Sequence, residues 1–328
     1  MTAGHFRRAL GRAALLVGLA VAAAAPARAQ APYPSHVIKL VVGFAAGGGN
    51  DIFARIVAQK MQDDLGQPVI VENRPGASGV VAAQYVKNAA PDGYTLLVGA
   101  AGGMSIVPAV SVKPPYDGAK DFTPISMIAA FPLILAVKAD SPIKSVPDLV
   151  AWMKAHPDRS NYATSSTSFT LATELFKLKT GAPGTAIPYK SSNESILSVI
   201  SGQSLLTIAD PPPTTPQVKG GLVRALAVLD AKRLDDLPDV PTMTEAGVPD
   251  VNVSLWSGVF GPAHLPPDIA KKLEALVMKI MQMADVRAKF KNLATPTVGS
   301  SSADFTKVIV DQTRMWAEVG RAANVKLE

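Results

Sequence analysis

The chain of 328 residues carries a formal charge of +6, four histidines and no cysteine. Without cysteine there is no disulfide, thiolate metal site or lipoprotein anchor. His36, His156 and His264 lie too far apart in sequence to suggest a histidine metal site or a His-dependent catalytic triad, so no cofactor or metal is expected.

The positive charge is concentrated at the start. Arg7, Arg8 and Arg12 precede an uninterrupted small and apolar run over residues 13–25, and Ala27-Arg28-Ala29 follows as a small-x-small cleavage site. This is the architecture of a secretory signal peptide over residues 1–29, too short and wrongly flanked for a membrane span. Cleavage is expected after Ala29, with Ala31 as the alternative, and by the general rather than the twin-arginine route. Losing residues 1–29 removes four arginines and no acids, which takes the formal charge from +6 to +2. No remaining Lys/Arg cluster points to nucleic acid. The roughly 300 residues left are enough for two lobes, and none of their segments approaches the ~20 apolar residues of a membrane helix. An exported, soluble, unanchored protein is expected.

Residues 37–44 form a short β-branched run that predicts a buried strand. Ile52, Ile56, Val57, Met61 and Leu65 then recur at helical spacing up to a stop at Gly66. Between them stands Phe44-Ala45-Ala46-Gly47-Gly48-Gly49-Asn50-Asp51. A strand–glycine–helix junction leaves N–H groups unpaired at the positive end of the helix dipole, and small residues let an anion approach them without a basic side chain. The other reading is a tight turn with no ligand. Nucleotide motifs fail here: a dinucleotide fingerprint needs glycine where Ile52 stands, and Gly-Lys-Ser/Thr occurs nowhere.

Further along, residues 68–72 predict a strand, residues 73–78 a turn, and residues 79–88 a helix with Ser78 as N-cap. Residues 94–98 predict a strand opening onto Gly99-Ala100-Ala101-Gly102-Gly103. Three successive strands thus end in small-residue loops that feed helix starts, the place where open α/β sheets hold ligands. Two apolar runs around Phe131-Pro132, within residues 122–138, carry the chain into another lobe. A helix over residues 146–155 is followed by Thr164-Ser165-Ser166-Thr167-Ser168, before an apolar helical run over residues 171–178. This hydroxyl cluster is either a solvated loop with one N-cap or a second anion cradle. Strands are expected over residues 187–190, 205–209 and 223–229. The second of these ends at Asp210 and a stiff Pro211-Pro212-Pro213 turn, where Asp210 either caps the turn or meets an amino group. A short helix should end at Gly247, residues 251–260 should return to the first lobe, and residues 267–283 should form a long terminal helix. The alternation predicts an α/β protein with mainly parallel sheets.

Several segments together carry a family resemblance: Tyr33-Pro34-Ser35, the junction at residues 44–51, Val71-Glu72-Asn73-Arg74-Pro75-Gly76-Ala77-Ser78-Gly79, Pro91-Asp92-Gly93-Tyr94-Thr95-Leu96, Asp121-Phe122-Thr123-Pro124-Ile125, Pro188-Tyr189-Lys190, Leu237-Pro238-Asp239-Val240-Pro241-Thr242 and Glu245-Ala246-Gly247. In their number and order the chain resembles, over residues 33–328, the Bug-type receptors, periplasmic solute-binding proteins of the tripartite tricarboxylate transporter system. The resemblance implies an α/β, two-lobed periplasmic-binding-protein fold, type II-like, with a ligand cleft between lobes joined by crossover strands. Lobe 1 would comprise residues 33–130 plus 252–328 and lobe 2 residues 131–251. It implies a periplasmic monomer that captures a small carboxylate-bearing solute through loop amides, hydroxyls and water. That solute would be delivered to membrane permease subunits without chemistry. Carried over by position, the ligand-binding residues are Phe44, Ala46, Gly47, Gly48, Asn50 and Asp51, then Ala77 and Ser78. Ser165, Ser166, Thr167, Ser168 and Asp210 join them as second-lobe candidates.

The chain departs from the family pattern in that second lobe. Residues 164–168 lack the usual glycines, Thr170 stands at the usual histidine, and Ser191 replaces the glycine after Tyr-Lys. Added side chains there favour a compact, hydroxyl-rich acid over a bulky aromatic one, unless the hydroxyls serve only to cap the helix. The alternative function is a periplasmic, hydrolase-like enzyme acting on a small acid or ester. It would want a Gly-x-Ser-x-Gly elbow, and Gly76-Ala77-Ser78-Gly79 is one residue short of it. Arg55 and Arg74 are read as salt-bridging residues and Trp256 as packed core.

Overall fold

The computed structural model describes residues 33–293, 295–322 and 325–326, so the expected signal peptide and its cleavage sites lie outside the described residues. From His36 on, the described residues form one compact unit, which holds both sheets. β1 (Ile38–Val42) buries Ile38, Leu40, Val41 and Val42 completely. It lies between two parallel partners, β2 (Val69–Asn73) and β3 (Thr95–Ala100), which is why its sequence is continuously apolar rather than alternating. β4 (Phe122–Pro132) leads out of this sheet. β5 (Ile134–Lys138), β6 (Asn161–Thr164), β7 (Thr185–Pro188), β8 (Leu206–Ala209) and β9 (Val223–Val228) form a second sheet in the order β7-β6-β8-β5-β9. β10 (Ser254–Pro262) then returns to the first sheet, whose order is β2-β1-β3-β10-β4.

Both sheets are mixed, which corrects the expectation of mainly parallel pairing. β10 is antiparallel to β3 and β4, and β5 is antiparallel to β8 and β9. The cause is the crossing itself, since a strand coming back from the other lobe runs against the one that left. Leu133 alone separates β4 from β5. The Leu229 N–H donates to the Leu133 carbonyl at 2.9 Å and the Val253 N–H to the Leu229 carbonyl at 2.9 Å, so the outgoing and returning chains are bonded side by side. Two adjacent connections of this kind permit hinge closure between two lobes.

The helices are α1 (Gly49–Leu65), α2 (Val80–Lys87), α3 (Val107–Val110), α4 (Val146–Ala155), α5 (Thr167–Thr180), α6 (Ser192–Ser201), α7 (Pro211–Lys219), α8 (Pro267–Gln282), α9 (Ala284–Asn292) and α10 (Ser302–Ala322). Several places differ from expectation. The proline triplet is the first turn of α7, not a turn; proline is tolerated there because the missing N–H groups have no intrahelical partner anyway. The segment before Gly247 is a succession of turns, in which Thr242 and Glu245 exchange hydrogen bonds at 2.7 and 3.1 Å with no helix following. Past α8 the chain continues into α9 and α10, which sequence reading omitted although Phe305, Ile309, Trp316 and Gly320 make a buried stripe at helical spacing. These late helices complete the first lobe's core. Phe290 of α9 stacks on Phe53 of α1 at 5.0 Å, and Phe305 of α10 meets buried Trp256 edge-on at 5.0 Å.

Candidate functional site

The carboxyl ends of β1, β3, β6 and β8 face one another across a cavity of about 50 Å³. The first lobe contributes Phe44, Gly48, Gly49, Asn50 and the Ala100–Gly102 stretch. The crossing strands contribute Phe131, Leu255 and Ser257, and the second lobe Ser165, Ser166, Ser168, Phe169, Ser191, Ser192 and Asp210. Asp210 is the one ionisable side chain in that lining.

At the first loop the helix begins earlier than its apolar spacing suggests: α1 starts at Gly49 with Gly48 as N-cap, so the last of the three glycines opens the first turn. Asn50 is held against the sheet, its Nδ2 donating to the Val98 carbonyl at 3.3 Å and its Oδ1 accepting from the Ser257 hydroxyl. Asp51 turns away from the cavity. Its carboxylate accepts from the Gly47 N–H, from Arg55 and from Asn73, each at 2.9 Å, and Asn73 also donates to the Phe44 carbonyl at 3.0 Å. Asp51 therefore sets the shape of the loop and leaves no oxygen for a solute.

Burial pushes the Asp51 carboxyl up, but the bonds from Arg55, Gly47 and Asn73 outweigh it and hold it below the ordinary value of 3.8. A depressed folded value means that its stabilisation is complete above the unfolded pKa and is lost as pH falls through the folded one, below that ordinary value. Asp51→Ala should thus lower stability by about 2–3 kcal/mol at neutral pH, with the deficit shrinking in acid. Urea titrations at neutral pH and in acid measure it, and an equal deficit at both would contradict the assignment.

The second loop departs from expectation at Ser78. Ala77 and Ser78 have φ of 46° and 56°, in the left-handed region, so Ser78 is no N-cap and α2 is capped by Gly79. The Ser78 hydroxyl reaches instead into the second lobe, 2.9 Å from Thr167 Oγ1, and accepts the Thr167 N–H at 2.9 Å. Asn193 Nδ2 donates to the Gly47 carbonyl at 3.2 Å in a second bond between lobes. Ala46, Gly47, Asp51, Ala77, Ser78 and Thr167 lie outside the cavity lining; Phe44, Gly48, Asn50, Ser165, Ser166, Ser168 and Asp210 are in it.

In the second lobe α5 starts at Thr167, ahead of the apolar run. The Ser166 hydroxyl accepts the Phe169 N–H at 3.4 Å, and Ser191 does the same for the Glu194 N–H at 3.3 Å at the start of α6. Capping and cavity lining thus coincide at Ser166 and Ser191. α1, α5 and α6 all present amide-bearing N-termini to the cavity, an arrangement suited to an anion.

Asp210 occupies the N-cap position of α7 without making a capping bond. A capping carboxylate accepts from the second or third helical N–H, and here those residues are Pro212 and Pro213. The side chain is 5% exposed, touches the Ser192 hydroxyl and its own backbone N–H, and leaves Oδ1 with no hydrogen-bond partner. Arg55 and Arg74 pair with Asp51 and Glu72 and do not line this cavity. Ala45, Gly49, Ala100, Ala101, Gly102, Phe131, Phe169, Ser191, Ser192, Leu255 and Ser257 line the cavity without being among the residues expected from the sequence. For Gly102, a signal existed in the third small-residue loop; for Ser257 and Leu255 none did, because only the return of β10 brings them there.

Comparison with known proteins points the same way. The family model described as tripartite tricarboxylate transporter family receptor matches residues 53–325. Protein BugT of Bordetella pertussis is 35% identical over 325 residues, covering 95% of this chain and 98% of that one. The structure of R. palustris Rpa4515 with adipate superposes with a TM-score of 0.85 at 34% identity, covering 89% of this chain and 98% of that one. MatC (Rpa3494) from Rhodopseudomonas palustris with bound malate gives 0.84 at 29% identity, covering 88% and 99%.

Proposed function

Because the chain belongs to the tripartite tricarboxylate transporter receptor family, we propose that it captures a small carboxylic acid in this cleft and passes it to a membrane permease without chemistry. The observation that carries the reading is the meeting of three amide-bearing helix N-termini at a cavity lined by no Lys, Arg or His. Partial positive charge at helix ends holds a carboxylate in a dry site as a cation would. Relatives described with adipate and with malate support the ligand class. Gly48, Asn50, Ser165, Ser168 and Ser192 are the contacts we assign to the acid, with Phe44 and Phe131 closing the apolar flank. The small cavity and its serines favour a compact polar acid.

The lobes are taken as residues 33–130 with 252–328, and 131–251. The exported chain would act as a periplasmic monomer after losing residues 1–29. Among the described residues no helix is long and apolar enough to cross a membrane. The hydrolase alternative finds no Ser–His pair in this cavity, since no histidine lines it and the Ser78 hydroxyl is engaged with Thr167.

Thermal shift and calorimetry of the mature protein against adipate, malate and related small acids test the proposal. An acid present at about 100 times its dissociation constant should add roughly 2.7 kcal/mol of stability. A panel of such acids that shifts nothing would refute it.

A further inference from the structure

Asp210 is the odd group in a site otherwise arranged for an anion. The helix ends at α1, α5 and α6 offer N–H groups, whereas the end at Asp210 offers none, because Pro211, Pro212 and Pro213 have replaced them. The carboxyl is buried, with Oδ1 unpartnered and only Ser192 and its own N–H beside it. Among the described residues, no cation from the elements packed around is paired with it. On α1, Arg55 is bound to Asp51; on α5, Lys177 is bound to Glu174, which also takes the Tyr162 hydroxyl. On α6, Glu194 accepts the Lys190 N–H; on α7, Lys219 pairs with Asp236; and beside β5, Lys138 pairs with Asp140. None of these side chains lines the cavity.

Two carboxylates within hydrogen-bond reach in a site of low dielectric cannot both stay ionised. The one that keeps its charge is the one given donors, and here the solute would meet the amides while Asp210 meets prolines. We propose that Asp210 is the neutral acid when a carboxylate solute occupies the cleft, donating its O–H to a solute oxygen, so that capture takes up one proton from solvent. The inference rests on the cleft binding carboxylic acids. Burial already pushes the Asp210 carboxyl up in the free protein, and an anion alongside pushes it further in the same direction. Between the free and bound pKa values the association constant should fall with rising pH, by at most tenfold per unit, because one proton is bound with the solute.

The experiment is calorimetry of the wild-type mature protein with adipate and with malate, above about pH 6.5, where carboxylic acids of ordinary pKa are ionised. Running it in buffers of different ionisation enthalpy counts the protons. Uptake approaching one proton, with affinity declining as pH rises, is the expected result. Asp210→Asn keeps a donor but cannot titrate, and should abolish both the uptake and the pH dependence. Tight wild-type binding with no proton uptake and a flat profile would overturn the inference while leaving the proposed function intact. So would a preference for aspartate over malate that Asp210→Asn removes, since Asp210 would then be an ionised partner for an ammonium. Binding of no acid in the panel would overturn both.

Discussion

Gly49→Ala should leave the folded protein at least as stable as wild type while weakening solute binding by about 5- to 150-fold. A Cβ on Gly49 would stand 2.5 Å from Asp210 Oδ2 and 3.4 Å from Pro212 Cγ, both across the cleft. Neither neighbour yields easily: Pro212 is a ring in the first turn of α7, and Asp210 is a short buried side chain. Overpacking of this kind costs about 1–3 kcal/mol, which corresponds to that loss of affinity. In the unliganded protein the lobes can part at their connections and relieve the contact, and within the first lobe alanine is favoured over glycine in a helix by up to about 1 kcal/mol. The loss should therefore appear in calorimetry and not in urea titration. Full affinity at unchanged stability would mean that solute-bound lobes never approach as closely as they do here.

Phe305→Ala is expected to act the other way, on stability first. Phe305 is fully buried, packs edge-on against Trp256 at 5.0 Å and lies 4.9 Å from Phe260. It fills the space that the absent side chain of Gly258 leaves, where a Cβ would come within 2.2 Å of the ring. Truncating such a residue costs about 3–5 kcal/mol, a large share of a typical stability of about 5–15 kcal/mol. A shift of the urea midpoint at constant slope measures it. A loss below about 1 kcal/mol would show that α10 lies on the first-lobe core without being part of it.

Local signals carried the first half of the site. The β1–glycine–α1 junction was legible because strand, turn and helix start are adjacent in sequence and each has its own composition. The role of Asp51 was not, since it depends on Asn73 being folded back to donate both to its carboxylate and to the Phe44 carbonyl. Ser78 looked like a cap from its place before a helix, but two successive left-handed residues aim its hydroxyl at Thr167. At Asp210 the decisive information was in the sequence: three prolines after a capping residue remove the donors it would cap. The crossings were legible as apolar runs, whereas their bonding to one another through Leu133, Leu229 and Val253 needs the three-dimensional path. The missed α9 and α10 show the cost of reading a terminal segment without knowing which groove awaits it.

The place of β10 in the first sheet also dictates an order of assembly. It lies between β3 and β4, so until Ser254–Pro262 has emerged those two strands present unpaired edges to each other. Every strand of the second sheet lies earlier in the chain. A chain appearing from its amino end can therefore finish the second lobe while the first still lacks its central antiparallel strand, with edges of the kind that pair with the wrong partner if left open. The lobe that begins the chain is the last to be completed.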